Sequence, residues 1–107
     1  MRGRPPKSKV RQNIIEILYF LEKSHGYQIS KIYKEIFPSV TTRLIYYHLK
    51  KGVSTGEFRV AEIKNEVKDY SWGKVAELIF YELGDNATPK IPKKVENYFR
   101  KTGWNKH

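Results

Sequence analysis

The chain has 107 residues with 21 Lys and Arg against 11 Asp and Glu, which gives a net charge of +10. This length fits one domain with a modest core, and the charge favours a polyanionic partner, with nucleic acid ahead of an anionic membrane surface. The sequence has no cysteine and no apolar run of the roughly 20 residues that a membrane span needs, which excludes disulfides, thiolate metal sites and a spanning helix.

The first eight residues are predicted to form a flexible basic arm. Pro5 and Pro6 hold the backbone extended and prevent a helix. The arm resembles the AT-hook, a motif built on Arg-Gly-Arg-Pro with basic flanks. This resemblance implies contacts in an A·T-rich minor groove, which is narrow and strongly negative. The residues that would make them are Arg2, Gly3, Arg4, Pro5 and Lys7. The alternative is a basic tail that serves solubility alone.

A first helix is predicted over residues 9–23, with Ser8 as its N-cap. One face carries apolar residues at spacings of three and four, namely Val10, Ile14, Ile17, Leu18 and Leu21. The polar residues, including Glu16, are expected to point away from this face. Further apolar residues widen this face, which suggests contact with a second neighbour, such as the other subunit of a dimer. Gly26 is expected to end the segment as a left-handed cap.

A second helix is predicted over residues 27–37 and a third over residues 41–55. Six residues supply the apolar stripe of the second helix, namely Tyr27, Ile29, Ile32, Tyr33, Ile36 and Phe37. Pro38 ends this helix, and the Ser and Thr residues of the short segment that follows can cap the third one. Two helices joined by so short a turn predict a helix-turn-helix.

The third helix is predicted to be the recognition helix for DNA. Its buried face gathers Ile45, Leu49, Gly52 and Val53, with Thr41 beside them. The opposite face carries no acid, and its first half is expected to meet bases and its second half phosphates. The candidate base-contacting residues are Thr42, Arg43, Tyr46 and Tyr47, and the candidate phosphate-contacting residues are Lys50 and Lys51. Thr41 is also included among the candidate DNA-binding residues. For Tyr46, a half-buried packing role is an equal alternative.

Two segments resemble the core of PadR-like, ArsR-like and related archaeal winged-helix regulators. These segments are His-Gly-Tyr-Gln-Ile at residues 25–29 and Ile-Tyr-Tyr-His-Leu-Lys-Lys at residues 45–51, followed by Gly56. The resemblance covers roughly residues 8–83. It implies a mainly α, α+β winged helix-turn-helix that binds DNA. Tyr46 and Leu49 match the family pattern of the recognition helix, whereas Gly52 stands where the family often has an aliphatic residue.

Residues 57–83 are predicted to form a β-hairpin, which is the wing of such a fold. The alternation of apolar and polar residues slips between Val60 and Ile63, which indicates a β-bulge. Tyr70 and Trp72 lie at the predicted turn of the hairpin. They would either meet a sugar or base edge of the DNA or fold back onto the core.

Two later segments leave structural alternatives open. Residues 75–83 also fit a short helix, although their aromatic and β-branched residues favour a strand. A basic extension over residues 85–107 contains a short predicted helix, residues 93–102. This helix either packs back on the first helix or crosses to the second subunit of a homodimer, because one of its sides gathers Val95, Tyr98 and Phe99.

These features predict a protein that binds double-stranded DNA with a sequence preference and acts as a transcriptional regulator. It is expected in the cytoplasm, associated with the nucleoid. The alternatives are an architectural chromatin protein, an RNA-binding winged helix and a protein-interaction module with incidental charge. An enzyme is not expected, because His25, His48 and His107 lack metal-ligand spacing and no phosphate-binding glycine loop is present. No cofactor, metal, small-molecule ligand or membrane partner is expected.

Overall fold

The computed structural model describes residues 8–37, 40–67 and 75–103 as an α+β fold, the class expected from the sequence. In chain order the elements are α1 (Lys9–Leu21), β1 (Lys23–His25), α2 (Gly26–Ile36), α3 (Thr42–Thr55), β2 (Phe58–Val67), β3 (Val75–Leu83) and α4 (Lys93–Lys101). The three strands form one antiparallel sheet in the order β1-β3-β2. No helix in these ranges combines the length and the apolar character needed to cross a membrane.

Helix α1 is shorter than predicted, and its end is built differently. Ser8 caps its start as expected, because Ser8 Oγ accepts a hydrogen bond of 3.2 Å from the backbone N–H of Arg11. The helix ends at Leu21, and Glu22 follows with a left-handed φ of 70°. The expectation of a left-handed cap at Gly26 is therefore wrong, since Gly26 is the first residue of α2.

The core lies among α1, α2 and α3, and β2 contributes one buried ring to it, that of Phe58. Each of the three helices supplies fully buried aliphatic residues, among them Ile17, Ile29 and Leu49. Gly52 lets α3 and β2 approach closely, because a Cβ atom at Gly52 would lie 2.0 Å from Cδ2 of Phe58. This contact explains why a glycine stands at position 52. Val53, predicted for the buried face, is instead 38% exposed.

Strand β3 is a strand along its whole length, not a helix, and it lies at the centre of the sheet. The predicted bulge is confirmed, because the register between β2 and β3 shifts between Val60 and Glu62. Strand β1 is absent from the sequence-based prediction. Its three residues pair with β3, so that Ser24 lies opposite Tyr81. This pairing attaches the start of α2 to the sheet.

Helix α4 packs back onto α1 and α2. Its Val95 and Phe99 are buried, and the Phe99 ring stacks on the ring of Phe20 in α1, with 4.8 Å between centroids. The Tyr98 hydroxyl donates a hydrogen bond of 2.5 Å to Glu35 in α2. Burial, with this hydrogen bond as the second cause, raises the pKa of Tyr98 to about 12. The aromatic side of α4 therefore has partners within its own chain.

Glu16 of α1 is a buried carboxylate, so the expectation that it points away from the core is wrong. The residue is 2% exposed, and its carboxylate accepts hydrogen bonds from the backbone N–H groups of Lys90 and Ile91, at 2.9 and 2.8 Å. The side-chain amide of Gln12 donates a further bond of 2.8 Å. These bonds offset the desolvation of the carboxylate and hold the segment before α4 against α1.

Candidate nucleic-acid interface

Two threonines fix the first turn of α3. Thr41 Oγ1 accepts a hydrogen bond of 3.1 Å from the backbone N–H of Leu44 and so caps the helix. Thr42 Oγ1 accepts bonds from Ser30 Oγ at 3.2 Å and from Lys34 Nζ at 2.5 Å, both in α2. Thr41 therefore caps the start of α3, and Thr42 orients α3 against α2. Lys34 adds a basic group at the start of α3 that the sequence-based prediction lacks.

The exposed face of α3 carries positive charge without counter-charge. Arg43, Lys50 and Lys51 are exposed, and within residues 8–37, 40–67 and 75–103 none of them forms an ion pair. On β2, by contrast, Arg59 binds Glu82 at 2.9 Å. A cation without a carboxylate partner gives up no ion pair when it meets a phosphate or a base edge. This face can therefore bind an anionic group without breaking an ion pair among the described residues.

A groove of about 470 Å³ lies between the start of α2, the exposed face of α3 and the middle of β3. From α3 it is lined by Arg43, Tyr46, Tyr47 and Lys50, and from β3 by Leu78, Ile79 and Tyr81. The start of α2 adds Tyr27, which the sequence placed in the apolar stripe of α2 but which is 64% exposed. No local sequence pattern predicts that these residues lie together, because the pairing of β1 with β3 brings the start of α2 next to β3.

Tyr46 is both a packed side chain and an exposed one. Its ring lies directly beside Gly26 at the start of α2, and the residue is 44% exposed. Burial, with the Tyr46 side chain as the second cause, raises the pKa of Tyr81 across the groove. Tyr47, one position further along α3, is 56% exposed. The two tyrosines therefore present ring surface to the groove and to solvent.

A half-buried network joins the start of α1 to the back of α3. Arg11 Nε donates a hydrogen bond of 2.7 Å to Glu57, and Arg11 Nη1 lies 3.1 Å from Nδ1 of His48. Since a guanidinium can only donate, Nδ1 must accept, which leaves the His48 proton on Nε2, facing Ser8 Oγ at 3.4 Å. Burial lowers the pKa of His48, the charge of Arg11 acts in the same direction, and Glu57 opposes them. The network therefore favours the neutral form of His48.

Of the predicted contact residues, half lie among the residues that the structure describes and half lie outside them. Seven of them lie in α3 or at its N-cap, namely Thr41, Thr42, Arg43, Tyr46, Tyr47, Lys50 and Lys51. The other seven lie outside the described residues, namely Arg2, Gly3, Arg4, Pro5, Lys7, Tyr70 and Trp72. In the part of the chain that the structure describes, no three His, Cys, Asp or Glu residues are grouped so that they could hold a metal ion.

No protein-family model matches the chain, and no curated protein matches its sequence. The resemblance to winged-helix regulators is therefore carried by the residues quoted above and by nothing else. The function of the chain has to be inferred from the surface of α3 and its surroundings.

Proposed function

We propose that the protein binds double-stranded DNA as a transcriptional regulator, with α1, α2, α3 and the β2–β3 pair acting as a winged helix-turn-helix. The observation that carries this proposal is the exposed face of α3, where Arg43, Lys50 and Lys51 have no carboxylate partner among the described residues. An exposed helix with this charge fits the major groove, which admits an α-helix and offers acceptors to Arg and Lys.

Each part of the site has a distinct role in this proposal. Arg43 reads a guanine through two hydrogen bonds, Tyr47 contacts an adjacent base, and Lys50 and Lys51 bind phosphates. The basic arm enters the neighbouring A·T-rich minor groove. The arm joins the described chain at Ser8, whose Oγ lies 3.4 Å from Nε2 of His48 on the back of α3. A homodimer would place two copies of α3 on two half-sites.

A binding titration tests the proposal against its alternatives. The ligands are an A·T-rich duplex, a G·C-rich duplex and a double-stranded RNA of equal length, each measured at two salt concentrations. Preference for one DNA duplex that survives the higher salt supports a regulator. Equal binding to all three that collapses with salt would point to an architectural protein, since phosphate contacts alone are salt-sensitive. Preference for RNA, or no binding, would contradict the proposal.

A matched pair of variants assigns the binding to α3. Lys51→Gln removes an exposed charge from α3, and Lys101→Gln removes one from the exposed end of α4. We expect Lys51→Gln to weaken binding to every DNA sequence and to lower the salt slope by about one. Lys101→Gln should leave both quantities unchanged, although it lowers the net charge equally. Equal effects of the two variants would show that only the total charge matters.

A further inference from the structure

The groove between α2, α3 and β3 has a lining that the reading of a paired duplex does not require. Four of the ten described residues that line it are tyrosines, namely Tyr27, Tyr46, Tyr47 and Tyr81. The reading of base edges in a major groove needs a protruding helix with hydrogen-bonding side chains. Here a concave space lies beside that helix, and four tyrosine rings add aromatic surface to its lining. Such a surface fits a planar, unstacked ring.

The size of the groove agrees with this kind of occupant. Its volume is about 470 Å³, and pockets that hold small organic groups span about 300–1,000 Å³. The Tyr46 ring packs on one side against Gly26. A ring that is fixed before binding loses little conformational freedom when a second ring stacks on it. The groove is therefore preorganised for stacking.

The charges at the groove decide which planar ring it suits. Arg43 and Lys50 belong to its lining, and no Asp or Glu among the described residues does. Aromatic rings flanked by cations are the combination that binds unpaired bases, because the rings stack on the base and the cations meet its phosphates. A neutral apolar ligand would gain nothing from the two cations.

We propose that this groove binds one unpaired nucleobase of DNA, stacked on Tyr46, with Lys50 on the adjoining phosphate. The proposal rests on the proposed DNA-binding function and adds to it a preference for DNA with a base outside the stack. Such bases occur at bulges, at junctions between single and double strands, and at sites opened by other proteins.

Three DNA duplexes that differ only at their centre test the proposal. One is fully paired, one carries a single extra adenosine, and one carries an abasic residue in place of that adenosine. The abasic duplex keeps the flexible backbone but lacks the base. We expect the extra adenosine to be bound about tenfold more tightly than the abasic residue, the size of one base–aromatic stack. Equal dissociation constants for these two duplexes would overturn the proposal.

The same set of ligands separates this proposal from the proposed function. If the fully paired duplex is bound and the base makes no difference, the groove proposal fails and the DNA-binding function stands. If only the duplex with the extra base is bound, the groove proposal stands and the proposed binding of paired DNA fails. A base preference confined to the same bulge in an RNA duplex would assign the groove to RNA and overturn the proposal for DNA.

Variants at two walls of the groove locate the effect. Tyr46→Leu should abolish the preference for the base, whereas Tyr46→Phe should retain it, because Phe keeps the stacking surface. Ile79→Trp fills the groove from β3, outside α3, and should abolish the preference while the paired duplex is still bound. Should Ile79→Trp prevent folding, the two Tyr46 variants still decide the matter. An unchanged preference in Tyr46→Leu would contradict the assignment.

Discussion

The ring of Tyr46 occupies the space in which any residue other than glycine at position 26 would place its Cβ atom. A Cβ atom on Gly26 would lie 2.1 Å from Cε1 of Tyr46. The start of α2 and the exposed face of α3 can therefore approach each other closely only because Gly26 has no side chain. The same contact sets the position of the ring that lines the groove.

Gly26→Ala is expected to destabilise the protein by about 1–3 kcal/mol, because the Tyr46 ring must move to admit the new methyl group. The free energy of unfolding, measured in urea, tests this expectation. A Tyr46→Ala background is the control, since it removes the ring with which the methyl group collides. In that background Gly26→Ala should cost only a few tenths of a kcal/mol. Equal costs in both backgrounds would contradict the contact.

Glu16→Ala is expected to lower the free energy of unfolding by about 1–3 kcal/mol, because it leaves two backbone N–H groups, which donate part-buried hydrogen bonds, without their acceptor. Those groups belong to Lys90 and Ile91. Glu16→Gln is the matched control, since its side chain keeps one carbonyl oxygen and the same shape. It should cost less than Glu16→Ala. A cost for Glu16→Ala below about 0.5 kcal/mol, the range of ordinary surface substitutions, would show that these bonds do not hold the segment before α4.

The stability of the protein is expected to fall as the pH drops below the ordinary His48 pKa of 6.5. Burial lowers this pKa in the folded state, so the unfolded chain binds the proton at a higher pH than the folded chain does. Protonation therefore stabilises the unfolded chain and reduces the free energy of unfolding. The stability contributed by neutral His48 is fully present above pH 6.5 and is lost as the pH falls towards the lowered pKa of the folded state. Unfolding in urea between about pH 8 and about pH 5.5 measures the loss.

His48→Gln provides the control for this pH dependence. Glutamine can still accept a hydrogen bond from Arg11 but does not titrate, so the variant should lose less stability over the same pH range. The other two histidines are present in both proteins and cancel in the comparison. Identical pH profiles would show that His48 is not the titrating group.

Arg43→Ala is expected to weaken DNA binding and to relax the preference at one base pair, with a loss of about 1–3 kcal/mol at the preferred base. Binding to a set of duplexes with single base changes measures both effects. Arg100→Ala on α4 removes the same charge elsewhere and should leave the preference intact. A uniform loss on all duplexes would mean that Arg43 contacts phosphate alone.

Deletion of residues 1–7 is expected to remove the preference for A·T-rich DNA while the folded part stays intact. Ser8, which caps α1, is kept, so the unfolding free energy should not change. Substitution of Arg2 and Arg4 by Lys is the matched control, because it keeps the charge but loses the flat guanidinium groups that fit a narrow groove. An A·T preference that survives the deletion would contradict the role of the arm.

The parts of the fold that depend on local pattern could be predicted from the sequence. The three- and four-residue spacing of apolar residues gave α1 within two residues of its end, and the broken alternation after Val60 gave the bulge. Ser8 is confirmed as the N-cap of α1, and the N-cap of α3, Thr41, is one of the Ser and Thr residues predicted to supply it, because both side chains act within one turn. In each case the residues that decide the structure are neighbours in the chain.

The parts that depend on distant partners could not be predicted. Strand β1 is three residues long, and only its pairing with β3 makes it a strand. Glu16 has the spacing of a surface residue, and the N–H groups that stabilise it belong to positions 90 and 91. Tyr27 reads as a core residue of α2 but lies at the groove. Such partners are set by the tertiary fold, which a local pattern does not encode.

The hydrogen bond between Glu16 and Ile91 spans 75 residues of sequence. A ribosome that adds about 5–20 residues per second needs roughly 4–15 s to make that intervening stretch. During this interval Glu16 lacks the backbone N–H groups of the segment before α4, and the ring of Phe20 lacks the ring of Phe99. This side of α1 can therefore be covered only after that segment and α4 have been synthesised.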